Sequence, residues 1–401
     1  MTILHDYDQF DGRHWETGTA HNFWAYRGLT APHTGQPLSE ALLLGISGGI
    51  VMGYFSFAYK GYDPQARILT RNTFDPWDRL MSRLGVAQNI LHTSQPEKGR
   101  HNLLDTLASG VPALVWADTF SLPYNDLPQD SGMWAMFPIL VYGHDEANDT
   151  VWIADRAQVP LTVTPAQLQA ARARVKKDKF RIITLEVPRL HGLSTAVAAG
   201  IWDTIKLYTE KPPKGSRNNF GLAAFQWWAQ LLTNPKTRMS WAKEFPAGRK
   251  LLAGLMSVYS DLYQFGKDSH AERDTYADFL DEASQLLDKS ALRAVAQQFR
   301  TSAAAWAELG PLLLPDAVPL LGEMRQLMAQ EHSLFLQQGN QSLTERQKIH
   351  TRMEAIKEEA GADFPLNEQE VSDLSGSIAA QVLKIHDIEQ TAITHLQQAM
   401  N

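Results

Sequence analysis

The chain has 401 residues, a formal net charge of −7 at pH 7 and no cysteine. The missing cysteine excludes disulfide bonds and thiolate metal sites, and the acidic balance disfavours nonspecific binding to nucleic acid. Hydrophobic residues make up 44% of the chain and charged residues 20%, so we expect an ordinary globular protein that is long enough for two domains.

The N-terminal residues are polar and acidic, unlike a secretory signal. Residues 42–58 form one uncharged run, which approaches the minimum length of a membrane-spanning helix. Because Ser47, Gly48, Gly49 and Gly53 interrupt the helical continuity of this run, we interpret it as a buried helix followed by a buried strand. We therefore expect a soluble, cytoplasmic protein that binds neither a membrane nor nucleic acid.

The first 187 residues combine helical and strand patterns. Apolar runs rich in β-branched residues predict strands, and apolar residues at spacings of three and four predict helices. Thr164 and Pro165 mark the start of a further helix, because threonine is a good N-cap and proline fits the first turn. The polar stretch 145–149 predicts a hairpin loop. The predicted helices cover 38–46 and 77–85, and the predicted strands cover 52–59, 67–72, 111–117, 139–142, 151–154 and 180–185.

From about residue 195 the pattern is helical alone. The last two segments are charged and glutamine-rich, with narrow apolar stripes that predict packing on one face. The sequence therefore predicts an α+β N-terminal domain over 1–190 and an all-helical C-terminal domain over 195–401. In the latter, a core reaches to about 338 and a charged extension covers 342–401. The predicted helices cover 222–232, 251–265, 275–287, 292–309, 319–338, 342–359 and 367–399.

A series of short motifs resembles the N-terminal family of butirosin biosynthesis protein H. The motifs in the first half are GTAHN at 18–22, LSEA at 38–41, GISGG at 45–49, DTFSLPY at 118–124, VYGHD at 141–145 and ADR at 154–156. The helical half is similar to a domain of unknown function that accompanies this family, through NFG at 219–221, Trp241 and RDTYADFLDEA at 273–283.

The resemblance implies a papain-like N-terminal fold, related to the peptidases that cleave double-glycine leader peptides. The named family member moves an aminoacyl group from an acyl carrier protein onto an aminoglycoside amine. Such chemistry needs a thiolate at a helix N-terminus, an imidazole that activates it and a polar group that orients the imidazole.

Two of these three catalytic positions are degenerate in this chain. The resemblance places the cysteine of the family's His-Cys pair at Asn22, its histidine at Pro138 or Phe137, and its orienting group at Asp155. Asparagine supplies no thiolate, and neither proline nor phenylalanine accepts a proton. Only the orienting position is retained.

Several polar residues are candidates for a modified site, each with a structural alternative. Asn22 caps a helix, or its amide binds a carbonyl or carboxylate in an inherited pocket. His21 binds an anion, or it holds neighbouring carbonyl groups. His144 acts as a base that a neighbouring carboxylate orients, or it is a solvated turn histidine.

Other candidates follow the predicted strands or precede a helix. Asp118 and Asp155 are predicted to face one cleft, where a carboxylate pair could perform acid–base chemistry if burial separated their pKa values. Tyr124 is predicted to line the same cleft as an aromatic wall. Arg273 binds an acidic group of a substrate, or it pairs with a nearby aspartate at the surface.

No metal or cofactor site is expected. His350 and Glu354 have the i,i+4 spacing of a helical ligand pair, and His14 and His21 form a looser pair, but neither has a third ligand in sequence. No glycine-rich nucleotide-binding motif and no nucleophile elbow are present.

Three functions remain open on the sequence. The first is an accessory protein of a biosynthetic pathway, whose degenerate cleft binds a peptide, an amine or an acyl carrier protein substrate. The second is an active acyl or aminoacyl transferase that uses His144 and Asp155 without an enzyme thiol. The third is a protein-interaction scaffold that forms homo-oligomers through its C-terminal helices.

Overall fold

The computed structural model describes residues 2–128, 132–177, 179–263 and 271–401. The strands within these ranges are β1 (Thr2–Ile3), β2 (Ile50–Phe57), β3 (Gln65–Arg71), β4 (Gln88–Leu91), β5 (Ala113–Asp118), β6 (Met136–Asp145), β7 (Thr150–Ala154), β8 (Leu161–Val163) and β9 (Ile182–Leu185). The helices are α1 (Thr17–Tyr26), α2 (Glu40–Ile46), α3 (Pro76–Arg83), α4 (Pro96–Ala108), α5 (Pro165–Ala173), α6 (Leu193–Thr209), α7 (Gly221–Thr233), α8 (Trp241–Glu244), α9 (Arg249–Tyr263), α10 (Arg273–Leu286), α11 (Ala291–Leu313), α12 (Pro319–Gln338), α13 (Leu343–Ala362) and α14 (Glu368–Met400).

Most of the predicted elements agree with these bounds to within a few residues. Thr164 caps α5, since its hydroxyl oxygen accepts a hydrogen bond from the amide of Gln167 and the Gln167 side chain accepts one from the amide of Thr164. The run 42–58 forms most of α2 and all of β2. No helix in the described parts of the chain is long and apolar enough to cross a membrane. The predicted helix 251–265 corresponds to α9, which is described as far as Tyr263, and Phe265 lies outside the described residues.

The chain forms two compact units that interleave along the sequence. Unit 1 comprises Met1–Leu43, Met81–Gly192 and Glu331–Lys348, and unit 2 comprises Leu44–Leu80, Leu193–Gln330 and Ile349–Asn401. The sequence-based division at about 190 differs from these units in two places, because the β2–β3 hairpin belongs with the helices and the segment Glu331–Lys348 belongs with the sheet.

Unit 1 is built on an antiparallel sheet in the order β4-β9-β5-β6-β7-β8. β1 adds to the C-terminal end of β6, beyond the part of β6 that pairs with β5. Helices α4 and α5 pack on this sheet, and α1 packs against β6. The core consists of apolar side chains from the strands and helices, with Phe335 added from the late segment.

Unit 2 contains the β2–β3 hairpin, the end of α2, the first part of α3 and most of the helices from α6 onward. The regular structure among the described residues beyond 192 is helical, so the α+β class and the helical C-terminal region are confirmed. The predicted charged extension is not separate from the helical core: α14 packs along α7 and α11 and buries an apolar stripe that includes Val382, Ile385 and Ile393.

Candidate functional site

Helix α1 begins at Thr17, so Asn22 lies in the interior of the helix. The prediction that Asn22 caps a helix is therefore wrong. Its side chain is buried, and its Oδ1 atom accepts a hydrogen bond from the amide of Gly12 at 3.1 Å. Gly12 and Gly18 touch so closely that a Cβ atom on Gly12 would lie 2.4 Å from the carbonyl oxygen of Gly18. Asn22 thus holds the segment before α1 against the helix.

Glu40 fixes the path of the chain into α1. Its carboxylate accepts hydrogen bonds from the backbone amides of Arg13 and His14, at 2.7 and 2.9 Å, and from the hydroxyl of Thr17 at 2.9 Å. These contacts fix Thr17 as the first residue of α1. Trp15 consequently lies two residues before the helix.

The ring of Trp15 stacks on the ring of Phe137, with centroids 3.7 Å apart and 7° between the planes. Phe137 is the second residue of β6, and the next residue, Pro138, is buried opposite Trp116. The carbonyl oxygen of Pro138 accepts a hydrogen bond from Thr19 of α1 at 3.4 Å. The start of α1 and the start of β6 therefore meet at an aromatic pair.

Asp155 follows β7 and is almost completely buried. Its Oδ2 atom accepts a hydrogen bond from the hydroxyl of Tyr124 at 3.1 Å. Its Oδ1 atom lies 3.5 Å from Nε of Arg156 and accepts no hydrogen bond within the described part of the protein. Burial and the charge of Asp155 raise the pKa of Tyr124 well above its usual value, so the phenol stays protonated and donates.

Asp118 is held by other partners. It accepts hydrogen bonds from the hydroxyl of Ser121 at 2.6 Å and the amide of Ala135 at 3.0 Å, and its ion pair with Arg174 measures 3.1 Å. Since β5 and β7 flank β6 on opposite sides, two strand spacings of about 4.8 Å separate them. The structure therefore does not bring Asp118 together with Asp155 as a carboxylate pair.

His144 is buried in β6, so it is not a solvated turn histidine. Burial lowers its pKa, which favours the neutral imidazole, and its Nδ1 atom has no hydrogen-bond partner among the described residues. His144 lies opposite Val151, and Asp155 is four residues further along the chain. At roughly 3.3 Å per strand residue, about 13 Å separate them, so Asp155 does not orient His144.

Both ring nitrogens of His21 contact oxygen atoms. Nδ1 lies 2.6 Å from the carbonyl oxygen of Leu38, and Nε2 lies 2.9 Å from Oδ1 of Asp11. Burial lowers the pKa of His21, but the hydrogen bond and charge of Asp11 outweigh this effect and raise it overall. Because a carbonyl and a carboxylate only accept, both contacts favour the protonated ring, which has no lone pair for a further proton.

Residues 14–156 match the family model described as butirosin biosynthesis protein H, N-terminal. The predicted resemblance is confirmed over this region, which contains α1, the Trp15–Phe137 pair and Asp155. No curated protein matches the chain. Beyond residue 192 the regular structure of the described residues is helical, as expected for the second half.

The family's His-Cys pair can be placed on His14-Trp15 as well as on His21-Asn22. Only His14-Trp15 immediately precedes α1, where the positive end of the helix dipole would stabilise a thiolate. Sequence reasoning missed this alignment, although a histidine at position 14 was visible. Either alignment leaves the nucleophile position without a thiol.

Sequence reasoning also missed the segment Glu331–Lys348, which lies far beyond the matched region. Arg346 donates hydrogen bonds to the carbonyl oxygens of Tyr124 at 2.7 Å and Asn125 at 3.1 Å. Asn125 in turn accepts from Nη2 of Arg156 at 2.6 Å. Arg346 therefore positions the two residues that hold the side chains of Asp155 and Arg156.

Arg273 belongs to unit 2 and is completely buried, so the predicted surface pairing is wrong. It forms an ion pair of 2.8 Å with Glu389 and donates further hydrogen bonds to Tyr208 and to three backbone carbonyl groups. These contacts use its donors within the protein, which favours a structural role. No cluster of three possible metal ligands occurs among the described residues.

Proposed function

We propose that the protein is an accessory factor of a biosynthetic pathway that binds a peptide, an amine or an acyl carrier protein substrate without attacking it. The observation that carries this proposal is the stack of Trp15 on Phe137 at the start of α1. In a papain-like acyltransferase, which we propose as the ancestry of unit 1, a thiolate and an imidazole would occupy these positions.

The groups needed for an acyl-enzyme route are absent or committed elsewhere. The chain has no cysteine, and both ring nitrogens of His21 are bound to acceptors within the protein. The spacing of His144 and Asp155 argues against the predicted transferase that uses both residues. The scaffold hypothesis loses its main support as well, because the apolar stripe of α14 is buried inside unit 2.

Asp155 supports retained binding. Its buried Oδ1 atom accepts no hydrogen bond, and only the ion-pair contact of 3.5 Å with Nε of Arg156 offsets its desolvation. A bound amide, hydroxyl or ammonium group would supply the missing donor to Oδ1. The family match adds support for a pathway in which acyl groups are transferred.

A paired binding and turnover assay tests this function. We would titrate the full chain with acyl-pantetheine thioesters, primary amines and short peptides by calorimetry, and incubate the thioesters and amines with it to detect an amide product. We expect binding of at least one class and no product above the reaction without protein. Asp155→Asn should weaken binding, since it replaces an acceptor oxygen with a donor when the amide turns.

The matched control is Trp134→Ala, which removes an exposed indole of unit 1 that contacts Lys176. It should leave the affinity unchanged, whereas Trp15→Ala should alter it. Product formation that depends on Asp155 would replace the accessory role with an enzymatic one. Absence of binding to all three ligand classes would overturn the proposal.

A further inference from the structure

The guanidinium group of Arg156 packs against two aromatic rings. Its central carbon is 4.7 Å from the centroid of Trp15 and 5.0 Å from that of Phe335. The N–H donors of a guanidinium lie in its own plane, so contact with an aromatic ring does not use them. Nη2 is bound to Asn125 and Nε lies near Asp155, while Nη1 has no acceptor within the described ranges.

Arg13 offers further donors at the same place. Its Nη1 atom donates to the carbonyl oxygens of Phe10 at 2.9 Å and Gly12 at 3.2 Å, and it lies 3.4 Å from the carbonyl oxygen of Arg156. Its Nε and Nη2 atoms have no acceptor in the described parts of the chain. The Arg13 side chain is half-buried, so these donors are partly removed from solvent.

His332 of α12 lies near Arg13 and Arg156, whose charges act on it. It stands three residues before Phe335, and therefore on the same face of the helix as the ring that covers Arg156. Its imidazole makes no hydrogen bond to the described residues. The charges of Arg13, Arg156 and Arg346 all act on it, and the acidic group that acts on it is Glu331, which Arg346 already binds at 2.7 Å.

We propose that His332, Arg13 and Arg156 form an oxyanion subsite that takes a phosphate or carboxylate group of the ligand. This inference rests on the proposed function for its setting, since it assigns one end of the same binding site. Arg13 contacts the backbone of Arg156, and the charges of both arginines act on His332. Each of the three side chains keeps a donor without an acceptor among the described residues, and an anion would satisfy both the donors and the excess positive charge.

The titration of His332 reports on the subsite. Burial and the three guanidinium groups lower the pKa of His332, while Glu331 raises it. A bound anion would offset the guanidinium charges and raise this pKa. By linkage, the anion must then bind more tightly as the pH falls through the titration of His332.

Histidine-ring NMR of the full chain tests the inference, with His332→Gln to assign the resonance. Inorganic phosphate and acetate are the probes, each against sodium chloride at equal ionic strength. We expect one probe to raise the pKa of His332 by about half a unit or more, which is roughly a threefold preference for the protonated form. A response to phosphate alone identifies a phosphate subsite, and a response to acetate alone identifies a carboxylate subsite.

Arg13→Gln should reduce the response several-fold, because it removes a donor and a charge. The matched control is Arg100→Gln, also in unit 1, whose partners are Glu97 and Glu146. This control should change the pKa of His144, on which Arg100 acts, and leave the response of His332 intact. Equal effects of chloride and both probes would show screening alone and overturn the subsite.

The two proposals fail separately. If phosphate raised the pKa of His332 but no thioester, amine or peptide bound, the subsite would be supported and the proposed ligands would be wrong. If those ligands bound but neither anion changed the pKa of His332, the proposed function would be supported and the subsite would be wrong.

Discussion

Trp15 lies flat on Phe137 where α1 and β6 begin, with ring centroids 3.7 Å apart. Trp15 precedes the N-terminus of α1. Phe137 is the second residue of β6, the strand on which the resemblance places a histidine. Aromatic pairs contribute about 0.5–1.5 kcal/mol beyond the burial of their area. The two positions are therefore coupled in packing, because each ring stabilises the other.

Introduced cysteines distinguish the two alignments of the nucleophile. Since the chain has no thiol of its own, each variant carries a single reactive group. We expect Trp15→Cys to react with iodoacetamide with a midpoint below pH 8.5, because the N-terminus of α1 and Arg156 favour the thiolate. Asn22→Cys should react at least about tenfold more slowly, because position 22 is buried.

Ser109→Cys provides the reference for this experiment. Ser109 is exposed at the C-terminal end of α4, where the helix dipole disfavours a thiolate. Faster labelling of Asn22→Cys than of Trp15→Cys, or equal pH midpoints for Trp15→Cys and Ser109→Cys, would contradict the placement of the nucleophile position at Trp15.

The contact of Asn22 with Gly12 predicts a local effect on stability. Asn22→Ala removes the acceptor of a buried amide, which typically costs about 1–3 kcal/mol. The amide of Gly12 should therefore exchange its hydrogen faster by at least about fivefold, as measured by native-state hydrogen exchange. The control is Asn148→Ala in the β6–β7 loop, which should leave Gly12 protected. Unchanged protection of Gly12 in Asn22→Ala would refute the tethering role.

Local signals in the sequence specified many of the elements. Thr164 was identifiable as a helix cap because its partners lie within three residues, and the apolar run at 139–142 marked the centre of β6. Helix α1 gives a weaker signal, since Glu16 at its N-cap makes no side-chain capping hydrogen bond and the residues 17–24 are buried all round. The start of α1 was therefore missed, and with it the position of Trp15.

Contacts between distant parts of the chain were beyond sequence patterns. Arg346 binds the backbone of Tyr124 across more than 200 residues, and Arg273 finds Glu389 across more than 100. A single sequence records neither pairing, because helical spacing and strand alternation describe neighbours only. The arginine that holds the site and the histidine beside it consequently came from the structure alone.

The ion pair of His21 with Asp11 predicts a pH dependence for unit 1. The pKa of His21 is raised in the folded protein, so its stabilising effect is complete below the ordinary pKa of about 6.5 and is lost as the pH rises through the folded value. Asp11→Asn removes the charge that outweighs burial, and the pKa of His21 should fall. Histidine-ring NMR measures this, with Asp8→Asn as the control on a neighbouring aspartate. A His21 pKa that does not move in Asp11→Asn would show that burial and the Leu38 carbonyl alone set its charge.

Glu389 predicts the largest loss of stability in unit 2. It is completely buried and accepts hydrogen bonds from Arg273, Tyr208, Ser302 and Trp306, at 2.7–3.2 Å. Breaking a buried ion pair by removing one partner costs about 3–5 kcal/mol, because the other charge stays buried without compensation. Glu389→Gln should therefore lower the denaturation midpoint of the helical unit. Hydrogen exchange of the amides of α11 and α14 measures this midpoint.

Glu308→Gln is the matched control for this loss. Glu308 is also a carboxylate of unit 2. It lies on α11 and pairs with Lys384 of α14 at 2.6 Å, but its side chain is half exposed. Exposed pairs contribute about 0–1 kcal/mol, so this variant should unfold near the midpoint of the unmodified chain. A second variant, Arg273→Met with Glu389→Leu, removes both charges together and should be less destabilised than Glu389→Gln. If the double variant were the less stable of the two, the cost would lie in lost packing and hydrogen bonds, and the uncompensated charge of Arg273 would not explain it.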